Sequence, residues 1–239
     1  ITHTTMKIFL DTADYNAIAE RAATGLVDGI TTNPTLVRKS GVDYKEFIKT
    51  LVSDFAFESI SAEVDGEDAG QMIANAEEYI PLGSNVTIKL PLTKEGLIAC
   101  RHLSHQRITT NVTLCFSAAQ AVMAAKAGAT YISPFVGRMN DNSFSGVELV
   151  RAISGLYCAQ GAETKVLAAS LRDVHHVSRC LMYGANVVTL PPAVFDKMYN
   201  HVLTDSGLAI FEKDFQAIQS VLRLVYTVRY RSLYHYSLQ

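Results

Sequence analysis

The chain has 239 residues, 49% of them hydrophobic and 18% charged, which is apolar material for one large core or at most two small ones. A formal net charge of −2 provides no basic field for nucleic acid and no polybasic stretch for anionic lipid, so neither partner is expected and any anionic ligand must be held locally. No apolar run approaches the roughly 18 residues that span a bilayer, and ITHTTMKIFLD lacks the basic start and cleavage site of a signal peptide, so a cytoplasmic location is expected.

Ile1 to Thr5 precede the first methionine, Met6, and read as a remnant of expression cloning outside the fold. From Met6 onward, β-rich runs alternate with amphipathic stretches of helical length. The strand candidates are MKIFLD from Met6, GITTN from Gly29, SISAEV from Ser59 and NVTIKLP from Asn85, followed by RITTNVTL from Arg107, TYISPF from Thr130, KVLAASL from Lys165 and NVVTLPP from Asn186. Between the fourth and fifth, Thr93 to Ser104 predicts a helix, with Thr93 as its cap and Leu97, Ile98 and Leu103 as its apolar stripe. Residues 6–220 are expected to form one catalytic domain, and residues 221–239 a C-terminal extension. About eight strands at this spacing predict an α/β fold, a single (β/α)8 TIM barrel. A doubly wound open sheet is the competing architecture, but neither GxGxxG nor GxxxxGK[ST] follows any strand.

Successive strand residues point to opposite faces, so each strand sorts into two sets. Ile8 and Leu10 oppose Phe9 and Asp11, Ile30 opposes Thr31 and Asn33, and Ile60, Ala62 and Val64 oppose Ser61 and Glu63. Val86, Ile88 and Leu90 oppose Thr87 and Lys89, Val112 and Leu114 oppose Asn111 and Thr113, and Leu167, Ala169 and Leu171 oppose Ala168 and Ser170. In a parallel barrel the apolar set packs under the helices and the polar set faces the axis, where late-strand residues reach the C-terminal mouth. Lys89 is thereby expected inside, with Asp11, Asn33, Glu63, Asn111, Thr113 and Ser170.

Desolvation works against an ammonium ion, and a neutral amine in a pocket is a nucleophile whose natural target is a carbonyl carbon. The resulting protonated Schiff base is an electron sink for cleaving or forming an adjacent C–C bond. The alternative is a Lys89 that merely pairs with Asp11 or Glu63 in a buried network. Asp11 and Glu63 suit two acid–base roles. Asn33 and Asn111 offer amide groups to substrate hydroxyls, and Thr113 is suited to hold a water; each would also serve as barrel filler. Arg138 beyond the sixth strand, with Ser170 and Arg172 at the end of the seventh, suggests an anion site suited to phosphate, although such an arginine can also be a solvated surface residue.

FLDTA at Phe9, TTNPT at Thr31, TIKLP at Thr87, TNVTLCFSAAQA at Thr110, ISPFVGR at Ile132 and AASLRD at Ala168 together resemble the transaldolase family, in the family's order and over most of Met6 to Phe215. The short chain is similar to the small-subunit branch, which also contains the fructose-6-phosphate aldolases. The resemblance implies a barrel of class I aldolase type with Lys89 as the Schiff-base residue and Asp11 as the acid–base group. It further implies that Glu63 and Thr113 position a water, that Asn33, Asn111 and Ser133 hold a dihydroxyacetone unit, and that Arg138, Ser170 and Arg172 grip phosphate. The implied reaction belongs to the pentose phosphate pathway and needs no metal or other cofactor. Its donor is sedoheptulose 7-phosphate or fructose 6-phosphate, and its acceptor glyceraldehyde 3-phosphate or erythrose 4-phosphate. An aldolase releasing free dihydroxyacetone is the alternative. Glu63 and Phe135 are the transaldolase residues at positions where the resemblance gives the aldolases Gln and Tyr. A non-catalytic sugar-phosphate-binding barrel would not need Lys89, Asp11 and Glu63 together.

Cys100, Cys115, Cys158 and Cys180 show no CxxC spacing and read as reduced, buried or semi-buried thiols. His102 with His105, and His175 with His176, lack a third ligand and suggest surface residues rather than a metal site. The tail from Val221 departs from the family, with Arg223, Arg229 and Arg231 among tyrosines, a pattern that could touch a partner, nucleic acid or membrane; it reads first as a helix extension, a subunit contact or a cloning remnant. Apolar Val221, Leu222, Leu224 and Val225, together with the branch resemblance, imply a homo-oligomer larger than a dimer.

Overall fold

The computed structural model describes residues 6–235, with backbone alone for Ser40 and residues 224–235. The expectation for Ile1 to Thr5 and the end of the tail expectation, residues 236–239, lie outside the described residues. The elements run β1 (Lys7–Asp11), α1 (Tyr15–Ala22), β2 (Gly29–Thr31), α2 (Pro34–Ser40), α3 (Tyr44–Asp54), β3 (Ser59–Glu63) and α4 (Ala69–Ala76). They continue through β4 (Val86–Pro91), α5 (Lys94–His105), β5 (Thr110–Cys115), α6 (Ala118–Lys126), β6 (Tyr131–Pro134), α7 (Val136–Asp141) and α8 (Gly146–Gln160). The chain then forms β7 (Lys165–Ala168), α9 (Val174–Met182), β8 (Val187–Leu190), α10 (Pro192–Lys197) and α11 (Val202–His235).

The eight strands pair in chain order, all parallel, and β8 returns to β1 through Lys7↔Val187 to Leu10↔Leu190, closing the ring. This is the (β/α)8 barrel expected from the strand spacing. Several helices begin at a short polar residue that accepts from a free amide of the first turn, although α7 after β6 and α10 after β8 begin at Phe135 and Pro191 without one. Asn33 is that polar residue for α2, Asp43 for α3, Thr93 for α5 and Ser117 for α6. Such a cap contributes about 1 kcal/mol, and because Asn33 precedes Pro34 at the first helical position, the chain must leave β2 and turn at once.

The outer core lies between strands and helices, where Leu10, Ile30, Ile60, Ile88, Val112 and Leu190 are fully buried. On α5 the buried face is Gly96, Ala99, Cys100 and Leu103, an i, i+3, i+4, i+7 stripe. Leu103 was expected there, but Ile98 is exposed, because its position falls one residue off that stripe.

Two further expectations from strand alternation fail. Leu114 is exposed, with φ +66 in a bulge where β5 shifts register against β6, and Cys115 takes the buried place instead. On β7 the parity is inverted. Leu167 and Ala169 face the barrel axis in a cluster with Phe9, Tyr131 and Val187, while Ala168 and Leu171 belong to the outer core. Ser170 still reaches the mouth because its φ of +56 interrupts the alternation. The interior therefore carries an apolar cluster contributed by β1, β6, β7 and β8, while Asp11, Ser133 and Thr189 on β1, β6 and β8 line the mouth cavity. Phe9 and Tyr131 meet edge to face at 6.0 Å, and Gly29 leaves the space that the Phe9 ring occupies.

The described chain divides into two compact units after Met198. The second contains α11, a continuous helix of 34 residues into which the first part of the expected extension runs without a break. Phe211, Phe215, Ile218, Val221 and Leu222 on it are exposed, and the side chains of Leu224 and Val225 lie outside the described residues. Among the described residues no helix is long and apolar enough to cross a membrane.

Candidate active site

Lys89 stands on β4 beside Glu63 of β3, the two residues being direct partners in the strand register. Its Nζ lies 2.9 Å from Glu63 Oε2 and donates to the Thr32 carbonyl at 3.3 Å. Lys89 is only 8% exposed, whereas the Glu63 side chain keeps 28% of its surface. The amine therefore sits in the wall of the barrel, paired with a carboxylate that stays partly open to solvent.

Asp11 ends β1 and faces the same space. Burial pushes its carboxyl above the ordinary carboxylate range, against the opposing pull of the Lys89 charge and a hydrogen bond from Thr31. That bond, Thr31 Oγ1 to Asp11 Oδ1 at 3.0 Å, continues outward. Thr31 donates to Asp11, so the 2.6 Å contact between Thr31 and Thr189 must have Thr189 as donor. A carboxyl raised by burial and oriented by one hydroxyl is a candidate acid–base group.

On β5 and β6, Asn111 accepts from Ser133 Oγ at 2.7 Å, which fixes the amide so that Nδ2 is directed away from that bond. Asn111 Nδ2 and Thr113 Oγ1 are buried and find no partner among the described residues, although both residues line the mouth cavity. Buried polar atoms in that condition are costly unless a ligand or water serves them. Asn33 also lines the cavity, but its Oδ1 accepts from Leu36 as the α2 cap, leaving Nδ2 to donate.

The opposite side of the mouth is cationic. The Arg138 guanidinium lies 5.0 Å over the Phe135 ring, and Phe135 and Ala169 form a bridge that extends the β6–β7 ladder. Gly137 donates to the Ser170 carbonyl at 2.8 Å, and a side chain at Gly137 would collide with that carbonyl and with Arg172. Arg172 reaches Asp141 at the end of α7, with Nη1 at 2.7 Å from both carboxylate oxygens. Asp141 is a partner that sequence reading missed, since nothing in GRMND distinguishes a carboxylate turned toward the mouth from one in solvent.

Asp11, Asn33, Lys89, Asn111, Thr113, Ser133, Phe135, Arg138, Ser170 and Arg172 all line one cavity of about 210 Å³, joined by Thr31 and Thr189. Glu63 is not in its wall and meets it through Lys89. A larger open groove of about 640 Å³ lies at the other end of the barrel, where β7 and β8 begin, and holds no amine–carboxylate pair of this kind. Cys100, Cys115 and Cys180 are buried, but Cys158 is exposed near the end of α8, contrary to the expectation of a semi-buried thiol. His102, His105 and His175 are exposed and His176 is half-buried. Among the described residues no group of His, Cys, Asp and Glu is arranged to hold a metal ion.

The closed parallel barrel thus places an amine and the Glu63 and Asp11 carboxyls at its C-terminal mouth. The chain belongs to the transaldolase/fructose-6-phosphate aldolase family, whose model matches residues 8–226. It is 51% identical to a "Probable transaldolase" of Caulobacter vibrioides over 91% of this chain and 100% of the relative. It is equally 51% identical to one of Paracoccus denitrificans over 87% and 96%, and 50% identical to one of Methanococcus vannielii over 89% and 98%. The chain is thus an enzyme of the aldolase and transaldolase kind.

Proposed function

We propose that this protein is a transaldolase that carries a dihydroxyacetone unit between sugar phosphates on Lys89. The observation that carries the reading is the buried Lys89 amine, 2.9 Å from Glu63 and facing a cavity whose Asp11 carboxyl is pushed up by burial. Glu63 takes the ammonium proton, and the neutral amine adds to the C2 ketone of sedoheptulose 7-phosphate or fructose 6-phosphate. Loss of water gives an iminium. Asp11 removes the proton of the C4 hydroxyl, the C3–C4 bond breaks, and its electron pair moves into the iminium to leave a three-carbon enamine. The aldose product departs, and glyceraldehyde 3-phosphate or erythrose 4-phosphate enters and receives the enamine carbon, with Asp11 returning its proton to the new hydroxyl.

In this reading Glu63 and Thr113 hold the water that is lost and regained, while Asn33, Asn111 and Ser133 hold the dihydroxyacetone oxygens. Arg138, Ser170 and Arg172 take the phosphate. The iminium is itself the electron sink, so the step needs neither metal nor organic cofactor. The setting is the pentose phosphate pathway in the cytoplasm. The working form is a homo-oligomer larger than a dimer, in keeping with the apolar residues exposed on α11.

An aldolase that releases free dihydroxyacetone is the second reading, and Phe135 weighs against it. Its ring lines the cavity and has no hydroxyl with which to deliver a proton to the enamine. The test is borohydride reduction in the presence of fructose 6-phosphate, followed by mass analysis. A three-carbon adduct on Lys89, absent from Lys89→Met, is expected. An enzyme that turns over while its Lys89 stays unmodified rules the mechanism out.

A further inference from the structure

The ladder between β2 and β3 ends early, at Ile30↔Ile60, and above that pair the two strands part. Tyr44, the first residue of α3, fills the seam. Its Oη accepts the Glu63 backbone N–H at 2.8 Å and lies 2.8 Å from Thr32 Oγ1, which itself donates to the Ser61 carbonyl at 3.1 Å. The single hydroxyl proton of Thr32 is committed to Ser61, so the bond between Tyr44 and Thr32 has one polarity. The chain runs from Glu63 N–H to Tyr44 Oη–H to Thr32 Oγ1–H to the Ser61 carbonyl, each hydroxyl both accepting and donating. Burial pushes the Tyr44 phenol upward, which keeps its proton in place. The ring is braced by Tyr79 at 5.6 Å.

Among the described residues, the two that Tyr44 ties together are the two that contact the Lys89 amine. Glu63 meets Nζ through its carboxylate and Thr32 through its carbonyl. Tyr44 itself does not line the mouth cavity. We infer that Tyr44 is a positioning residue for the reactive amine: its hydroxyl substitutes for the missing β2–β3 ladder and sets the spacing of the Glu63 and Thr32 groups between which Lys89 Nζ is held. The inference rests on the reading of Lys89 as the Schiff-base residue.

Arg138, Ser170 and Arg172 stand on the β6–β7 side of the mouth, away from this seam, so Tyr44 should govern amine chemistry and leave phosphate binding alone. The experiment measures the single-turnover rate of borohydride-trapped adduct on Lys89, and the KM for fructose 6-phosphate, in Tyr44→Phe, Thr32→Val and the double variant. Each single variant is close in shape to the residue it replaces, and each severs the chain at a different link. Trapping should slow about tenfold, the equivalent of one buried hydrogen bond, with KM within about twofold of the parent. The double variant should be no slower than the slower single variant, because a severed chain cannot be severed again.

Trapping by Tyr44→Phe within about twofold of the parent overturns the inference. So does a slowing matched by an equal rise in KM, which is the mark of general loosening, and so do losses that multiply in the double variant. Thr32→Val provides the same decision if Tyr44→Phe does not fold. A parent protein that turns over without a Lys89 adduct removes the Lys89 reading and this inference with it. A parent that traps, beside a Tyr44→Phe that traps equally well, removes this inference alone.

Discussion

The pair between Arg172 and Asp141 makes a prediction about phosphate binding that can be worked from the structure. The Arg172 guanidinium, taken above as part of the phosphate grip, already has a carboxylate at 2.7 Å. A bound phosphate must share that arginine or displace Asp141. Both side chains are about half exposed, at 55% and 54%, so the pair is solvent-screened and worth about 0.2–1 kcal/mol. Asp141→Asn relieves that competition. If all of it is recovered on binding, the KM for fructose 6-phosphate falls roughly 1.4- to 5-fold with kcat little changed. The gain should shrink at high salt, because the pair it removes is screened. The assay is initial-rate kinetics on fructose 6-phosphate with erythrose 4-phosphate, and on fructose without phosphate, at low and high ionic strength. An unchanged or higher KM for the phosphorylated donor, or an equal gain on fructose, would show that Arg172 does not receive the phosphate.

Gly137→Ala should place a methyl against the Ser170 carbonyl and cost about 1–3 kcal/mol, seen as a lower melting temperature together with a raised KM for phosphorylated donors. Asp11→Asn should abolish turnover and stabilise the fold. The folded-state carboxyl is raised, so the parent loses stability as pH rises from the unfolded value near 3.8 through the folded one, and the variant's melting advantage should be small at pH 4 and grow toward pH 8. An advantage that is flat across that range would show that Asp11 is not raised. Phe135→Tyr should increase release of free dihydroxyacetone relative to transfer, measured by coupled assay with and without erythrose 4-phosphate; an unchanged ratio would discharge Phe135 from that role.

Strand alternation made the barrel legible because a side chain in a strand has only two directions to point. Lys89, Thr113 and Asn111 follow from that rule, and their apolar neighbours Ile88, Leu90 and Val112 lie in the outer core as expected. The rule fails on β7, where Leu167 and Ala168 are both apolar and give no side, and also wherever the backbone leaves the extended region. Leu114 and Ser170 both have positive φ, a property that neither residue type announces. Ser170 reached the cavity although the parity assigned to its strand was inverted. Tyr44 was invisible for a different reason. It begins an ordinary amphipathic helix behind an Asp43 cap, and its importance arises only where β2 and β3 separate, a long-range event that no local pattern encodes.

The ring closes between β1 and β8, the two strands farthest apart along the barrel sequence, and Asp11 lies one residue beyond the last paired position, Leu10↔Leu190. Closing so long a loop is the costliest entropic step available to the chain, and in a fold rich in such contacts it is a slow one. The amine and its carboxylate partner, by contrast, sit on adjacent strands joined by the single crossover through α4. On refolding, reactivity at Lys89 should return before turnover does. Asp11 thus depends for its place on the one strand pairing that joins the two ends of the barrel sequence.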